Sequence, residues 1–245
     1  MFLEMKLRSA ELKKSVQVNV IIPDGREEYK TLWLLHGLTD DHTAWARYTA
    51  IERYAKDHGI AVVMPNADRS WYTNTAYGAN YFNFIADELP SLCRGLFKGM
   101  SEKREDNMVG GLSMGGYGAL KLSLARPEQY SGCICLSGAF DITRRYGPID
   151  EWKSIFGVEL EDPLSLAGSE HDVFYLAEKR KKENGLFPKL YMWCGLDDSL
   201  IDINRELHRH LTELGVPHAF EESEGDHSWK WWDLHVQDGL NYIMN

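Results

Sequence analysis

The sequence Gly-Leu-Ser-Met-Gly at residues 111–115 constrains the possible fold more than any other stretch of the chain. It follows an apolar run at residues 107–110, typical of a buried strand, and it precedes a helix-forming stretch at residues 116–125. Gly-x-Ser-x-Gly between a strand and a helix makes a sharp turn that lifts the serine hydroxyl clear of the sheet edge. The two glycines leave room for the backbone to fold back on itself. The pattern therefore predicts that Ser113 is a nucleophile at the end of a strand.

Apolar runs of strand length alternate with stretches of helix length along the 245 residues. This alternation predicts one α/β domain, residues 1–245, with a mostly parallel sheet and helices on both faces. Residues 139–185 break the rhythm with short helical pieces, prolines and charges, and they predict a small lid insertion over the carboxyl edge of the sheet. The other predicted strands cover residues 2–7, 14–22, 31–35, 60–64, 133–137, 190–194 and 218–221, and the other predicted helices cover 46–58, 81–97 with a kink or break at Pro90, 200–214 and 228–243.

Composition and charge exclude several classes of protein. The formal net charge is −10, which argues against a nucleic-acid partner. No stretch is long and apolar enough to predict a membrane span or a signal peptide, so we expect a cytoplasmic protein without a membrane partner. Three of the four cysteines lie in apolar runs, which favours free buried thiols. Neither a metal-binding motif nor a nucleotide-binding glycine pattern is present, so we expect no metal and no cofactor.

A serine nucleophile needs a base to accept its proton and an acid to orient that base. In this architecture they follow later strands in the order serine, acid, histidine. The acid is Asp197 or Asp198, after the strand at residues 190–194, and we choose Asp198 because Gly-x-x-Asp lets the loop turn before the carboxylate enters the site. A helix-capping role is the alternative for Asp198. His227 follows the last strand and precedes the last helix, which predicts that it is the base.

An oxyanion hole needs two backbone N–H groups that point at the developing negative charge. The N–H of Met114, directly after the nucleophile, is one candidate. The second should come from the loop after the strand at residues 31–35, and we assign it to Leu38, with Gly37 as the alternative donor. His36 is interpreted as a residue that orients this loop.

With these residues identified, the chain resembles the esterase D branch of the α/β-hydrolases, and within it the tributyrin-esterase-like members. That branch includes short-chain carboxylesterases, S-formylglutathione hydrolases, and acetyl and feruloyl esterases. The resemblance spans nearly the full length and implies an α/β-hydrolase fold. It is carried by residues 34–37, 45, 63–66, 71–73, 88–90, 111–118, 194–195 with 198, and 225–227 with 229.

The resemblance implies a serine carboxylesterase that hydrolyses short acyl esters through an acyl-enzyme, with a small-molecule ester as its partner. Substrate-binding positions are then expected at His36 and Gly37. Four aromatic residues are expected either to line the pocket or to pack in the core: Trp45, Trp71, Tyr72 and Trp229. The resemblance alone also allows a homo-oligomer. One departure is the continuation of His36-Gly37 as Leu38-Thr39-Asp40-Asp41, which suggests a different shape for the oxyanion loop.

Three other functions fit the same residues. An S-formylglutathione hydrolase would use the same triad on a thioester, although the net negative charge does not favour glutathione. An acyltransferase would replace water by a sugar or lipid hydroxyl. A binding protein without catalysis fits least, because the inferred nucleophile, acid, base and turn glycines are all present.

Overall fold

The computed structural model describes residues 1–143, 149–157 and 166–245. The described residues form one sheet of eight strands. The strands are β1 (Phe2–Ser9), β2 (Lys14–Ile21), β3 (Thr31–Leu35), β4 (Ala61–Pro65), β5 (Asn107–Leu112), β6 (Gly132–Leu136), β7 (Lys189–Gly195) and β8 (His218–Ser223).

The sheet is mostly parallel, as predicted. Its order is β1-β2-β4-β3-β5-β6-β7-β8, and β2 is antiparallel to both of its neighbours, whereas β3 to β8 pair in parallel. Every residue of β3, β4, β5 and β6 is buried, as expected for a sheet covered on both faces. The carboxyl ends of the parallel strands therefore meet at one edge, where the predicted site residues lie.

Helices cover both faces of the sheet, which also confirms the prediction. One apolar cluster includes the helical residues Leu120 and Leu207, and the other joins the helical residues Ile51 and Val236. The α-helices are α1 (Ala44–Tyr48), α2 (Ile51–His58), α3 (Tyr81–Asn83), α4 (Leu89–Leu96), α5 (Met114–Ala125), α6 (Ile149–Phe156), α7 (Val173–Lys182), α8 (Ile201–Glu213) and α9 (Trp229–Met244), with a π-helix at Phe84–Glu88 and a 3₁₀ helix at Arg104–Asp106.

The predicted single helix at 46–58 is wrong, because α1 and α2 are separated at Thr49 and Ala50. Thr49 is extended (φ −134°, ψ 171°), and its hydroxyl donates to the carbonyl of Trp45. The N–H of Ala50 donates to the carboxylate of Asp233 on α9. Side chains thus satisfy the backbone groups that a continuous helix would have paired.

The helix at 81–97 neither breaks nor ends at Pro90. Instead, the turn before the proline widens into the π-helix, where the N–H of Leu89 donates to the carbonyl of Phe84. Proline has no N–H and its ring clashes with the carbonyl four residues earlier. A π turn relieves that clash without ending the helix.

The predicted insertion at 139–185 lies partly outside the described residues, which omit 144–148 and 158–165. Its described part contains α6 and α7, and α7 packs against α5 and α8. The extent of a lid in this segment stays a prediction.

Candidate active site

Ser113 lies on the sharp turn predicted between β5 and α5. Its φ of 51° falls in the left-handed region, which a side chain adopts only under strain. A Cβ at Gly115 would meet the carbonyl oxygen of Leu35 at 2.4 Å, and one at Gly111 would meet the Gly115 carbonyl at 2.5 Å. Only glycine therefore allows the strand, the turn and the start of α5 to approach this closely.

The three residues predicted as nucleophile, base and acid form one hydrogen-bonded line. The Ser113 hydroxyl donates to Nε2 of His227 across 3.1 Å, and Nδ1 of His227 donates to Oδ2 of Asp198 across 2.8 Å. Ser113 follows β5, Asp198 follows β7 and His227 follows β8. The approach of the last two loops depends on Gly195, where a Cβ would meet the Gly225 carbonyl oxygen at 2.2 Å.

The carboxylate of Asp198 is fully buried, whereas Asp197 is exposed. Burial alone raises the pKa of Asp198, but hydrogen bonds from His227, from the N–H of Leu200 and from the Ser137 hydroxyl outweigh it and hold the pKa below its usual range. Asp198 therefore remains an anion facing His227. The N–H of Leu200 also donates to Asp198, but Leu200 itself is the N-cap of α8 and no side chain caps that helix, so the capping alternative for Asp198 is wrong.

Ser137 is a site residue that the sequence analysis missed. It follows β6 with a φ of 48°, is fully buried, and accepts a hydrogen bond from Nε1 of Trp232 at 3.0 Å. The Trp232 ring in turn packs edge-on against the His227 imidazole. A serine at the carboxyl end of a buried strand was the available signal, since polar groups at that edge commonly support a site.

The loop after β3 is held in one orientation by His36. The N–H of Ala67 donates to Nε2 of His36 at 2.9 Å, so Nδ1 carries the proton and donates to the carbonyl of Gly37 at 2.7 Å. The N–H of Asp40 also donates to that carbonyl. Burial lowers the pKa of His36, which keeps the ring neutral.

Two further side chains anchor the same loop from behind. The indole of Trp45 donates to the Leu35 carbonyl, and the phenol of Tyr72 donates to the His36 carbonyl, each at 2.9 Å. Both side chains are fully buried. They therefore fix the backbone next to Gly37 from inside the core.

A cavity of about 540 Å³ opens at Ser113. Of the residues predicted to bind substrate, Gly37, Trp71 and Trp229 line it, as does Leu38. The expectation that His36 lines it is wrong, and Trp45 and Tyr72 follow the core-packing alternative and not the substrate-binding one. The polar atoms of all three are directed at backbone carbonyls, and their rings are buried. The cavity also contains residues that the sequence did not indicate: Asp40, Arg69, Glu151, Trp152, Leu200 and Trp232.

Within the described ranges, one group of side chains has spacing that could hold a metal ion: Glu221, His235 and Asp238. None of these three lines the cavity. His235 donates to Asp238 and lies against Ser223, so its ring nitrogens have protein partners. Among the described residues, no helix is both long and apolar enough to cross a membrane.

Comparison with known proteins places the chain among esterases. The model of the family described as "Putative esterase" matches residues 9–243. The acetyl esterase of Caldicellulosiruptor saccharolyticus is 32% identical, over 98% of this chain and 97% of its own length.

Two solved structures of Staphylococcus aureus proteins have the same fold over the whole chain. FphF, a fluorophosphonate-binding serine hydrolase with substrate bound, superposes with a TM-score of 0.93 at 33% identity, covering 100% of this chain and 98% of its own. The S-formylglutathione hydrolase FrmB, as apoenzyme, superposes with a TM-score of 0.90 at 33% identity, covering 100% and 99%. The predicted α/β-hydrolase fold is thereby confirmed.

Proposed function

The chain belongs to the esterase family of α/β-hydrolases and is a serine hydrolase, and from that premise we propose that it hydrolyses short-chain carboxylic esters through an acyl-enzyme. The observation that carries the proposal is the hydrogen-bonded line from Ser113 through His227 to Asp198. Support for a short acyl group comes from the acetyl esterase relative and from a cavity lined by indole rings.

In the proposed reaction, His227 Nε2 takes the proton of the Ser113 hydroxyl while Oγ attacks the carbonyl carbon of the ester. The tetrahedral intermediate collapses when the protonated His227 gives its proton to the leaving alcohol, and the acyl group stays on Oγ. Water then loses a proton to His227 and attacks the acyl carbon. The bond from this carbon to Oγ breaks as His227 returns the proton to Oγ, which releases the acid and restores Ser113. Asp198 holds the imidazole in the Nδ1–H form and stabilises its charge in both steps.

For the oxyanion hole we propose the N–H groups of Leu38 and Met114. Met114 begins α5, so its N–H lacks a partner in a preceding turn. The Gly37 carbonyl is held by His36 and by the N–H of Asp40. Because C=O and N–H of a trans peptide point in opposite directions, holding this carbonyl directs the Leu38 N–H the other way, which favours Leu38 over Gly37 as donor.

We also propose that the chain is one domain in which α6 serves as part of a lid. Glu151 and Trp152 of α6 line the cavity. Backbone N–H groups of Ala76 and Tyr77, in the loop after β4, donate to carbonyls of α6. The helix is therefore joined to a loop that itself contributes Trp71 to the site.

The second candidate is hydrolysis of S-formylglutathione on the same triad. The observation that favours it is the similarity to FrmB, an S-formylglutathione hydrolase. Acyl transfer to an alcohol remains a third reaction of the same acyl-enzyme, and product analysis with a competing alcohol separates it from hydrolysis.

The test is hydrolysis of p-nitrophenyl acetate, butyrate and octanoate by the wild type and by Ser113→Ala. We expect turnover that falls with chain length and is lost in the alanine variant, with Ser91→Ala on the exposed surface of α4 as the matched control. Fluorophosphonate should label the wild type and the control but not Ser113→Ala. An active Ser113→Ala variant would refute the proposal.

A further inference from the structure

Arg69 and Glu151 form a two-pronged ion pair in the lining of the cavity. Nε of Arg69 lies 2.5 Å from Oε1 of Glu151, and Nη2 lies 2.9 Å from Oε2. Arg69 belongs to the loop after β4 and Glu151 to α6, so two separate segments supply the pair. This fork-to-fork geometry occupies the Nε–Nη2 edge of the guanidinium and offsets its positive charge, which an anionic ligand would otherwise meet.

The described lining of the cavity contains no other arginine or lysine, while it contains a second carboxylate, Asp40. Asp40 lies in the oxyanion loop and accepts a hydrogen bond from the Trp229 side chain. The charged groups that act on Asp40 are His36 and Asp41, and neither is a lysine or an arginine. With Arg69 neutralised by Glu151, the described lining carries an excess of negative charge.

We propose that this cavity selects substrates by the charge of the leaving group: it accepts acyl esters and thioesters of neutral or cationic alcohols and thiols, and it discriminates against anionic ones. Glu151 is the specificity-determining residue, because it pairs with the Arg69 guanidinium, the cation that an anionic leaving group would need. This inference rests on the proposed esterase function, since it concerns the same site.

The inference bears directly on the glutathione alternative. At neutral pH glutathione has two carboxylates and one ammonium group, so its thioesters have a net negative charge. Such a leaving group would meet Asp40 and a guanidinium that is already paired. The charge distribution therefore favours simple esters over glutathione thioesters in this chain.

The experiment uses three acetyl thioesters that differ mainly in charge: acetylthiocholine (cationic), S-acetyl-2-mercaptoethanol (neutral) and S-acetyl-3-mercaptopropionate (anionic). Thiol release is followed with a chromogenic disulfide, and kcat/KM is compared at low salt. We expect the anionic substrate to be about tenfold poorer than the neutral one, the scale of a partly screened charge interaction. The difference should shrink as salt is added, because Arg69 and Glu151 are partly exposed.

Substitutions at the two residues of the ion pair should change the charge selectivity in opposite directions. Glu151→Gln keeps the shape of the side chain but frees the Arg69 charge, so the anionic-to-neutral ratio of kcat/KM should rise about tenfold. Arg69→Met leaves Glu151 unpaired, so the same ratio should fall and the cationic-to-neutral ratio should rise. A pair that merely held α6 in place would change all three substrates alike. Glu52→Gln, on the exposed face of α2, is the matched control.

Two results would overturn the inference: equal kcat/KM for the anionic and neutral substrates in the wild type, or ratios that stay unchanged in both variants. Failure of the proposed function itself looks different, because then neither the neutral thioester nor p-nitrophenyl acetate is hydrolysed.

Discussion

The imidazole of His36 donates from Nδ1 to the carbonyl of its own neighbour, Gly37, across 2.7 Å. Its other nitrogen, Nε2, accepts from the N–H of Ala67. Both bonds exist together only when the ring is neutral and protonated at Nδ1. The direction of the Gly37–Leu38 peptide, and with it the proposed oxyanion donor, thus depends on one tautomer of a buried histidine.

The variants His36→Asn and His36→Gln should separate the two roles of this ring. An asparagine amide can stand near the position of Nδ1 and donate to Gly37, whereas the longer glutamine reaches toward the position of Nε2. We expect kcat for p-nitrophenyl acetate to fall about 10²-fold in the Gln variant, the usual cost of losing one oxyanion donor, and clearly less in the Asn variant. Equal losses in both variants would contradict the assigned tautomer. Circular dichroism checks that both variants fold.

Tyr72→Phe should lower both stability and kcat. The change removes the phenol that donates to the buried His36 carbonyl, and an unsatisfied buried acceptor costs about 1–3 kcal/mol of unfolding free energy. Because the same carbonyl adjoins Gly37 and the proposed oxyanion donor Leu38, kcat should fall while KM changes little. Urea unfolding and ester kinetics measure the two effects. Tyr175→Phe, at an exposed position of α7, should change neither; a Tyr72→Phe enzyme with full kcat would show that the loop does not need this contact.

Asp198→Asn and Asp197→Asn should differ by orders of magnitude in activity. The buried Asp198 carboxylate accepts from His227 Nδ1, and an amide there would favour the wrong tautomer, so kcat should fall by about 10³–10⁴. Asp197 is exposed, and its backbone N–H donates to the Gly225 carbonyl whatever the side chain is. Steady-state kinetics decide between them. A strong loss in Asp197→Asn would reverse the choice of acid.

Stability should increase with pH through Lys121. Burial lowers the pKa of this lysine to about 7, in a setting where Nζ donates to the Thr73 hydroxyl at 3.0 Å and lies 3.2 Å from His171 Nδ1. Between pH 7 and 10 the unfolded chain therefore binds more protons at this residue than the folded chain, so folding becomes more favourable as the pH rises.

The measurement is the free energy of unfolding of the wild type relative to Lys121→Met at several pH values. We expect this difference to rise in favour of the wild type, by on the order of a few kcal/mol, between pH 7 and 10. Lys56→Met on the exposed side of α2 should give a difference that is flat in pH. A flat curve for Lys121→Met would mean that the buried amine does not titrate in this range.

Gly115→Ala should damage activity, whereas Gly95→Ala should not. A Cβ at Gly115 would lie 2.4 Å from the Leu35 carbonyl oxygen and 2.7 Å from that of His36. Both atoms belong to the backbone that leads from β3 to Gly37. The alanine must push this loop away, so we expect kcat to fall at least tenfold. At Gly95 of α4 a Cβ meets nothing within 4 Å, and alanine there should add about 0.5–1 kcal/mol of stability. Thermal unfolding and ester kinetics together test the pair.

Local pattern was enough to predict the order of strands and helices and to choose Ser113, Asp198 and His227 as a set. Buried parallel strands such as β5 and β7 appear as apolar runs. The carboxyl ends of parallel strands share one edge of the sheet, so polar residues that follow β5, β7 and the half-exposed edge strand β8 can be predicted to meet. The separation of α1 from α2 could not be predicted from local pattern, because it depends on a contact of Ala50 with Asp233 of α9, 183 residues away in the chain.

The aromatic residues show the limit most clearly. The sequence does not distinguish the four aromatic residues that were candidates for the pocket. In the structure Trp71 and Trp229 line the cavity, whereas Trp45 and Tyr72 donate hydrogen bonds to backbone carbonyls within the core. Trp71 and Tyr72 are neighbours with φ values of 52° and 49°, a conformation that propensity disfavours and that tertiary contacts impose.

The fold class, the turn at Ser113 and the residues that meet it follow from the amino-acid pattern, because they depend on periodicity and on the geometry of parallel sheets. Which side chains face the cavity, and the pairing of Arg69 with Glu151 82 residues away in the chain, became known from the folded chain. The physical reason is that burial and ion pairing depend on distances between segments, and those distances arise only when the sheet, the loop after β4 and α6 pack together.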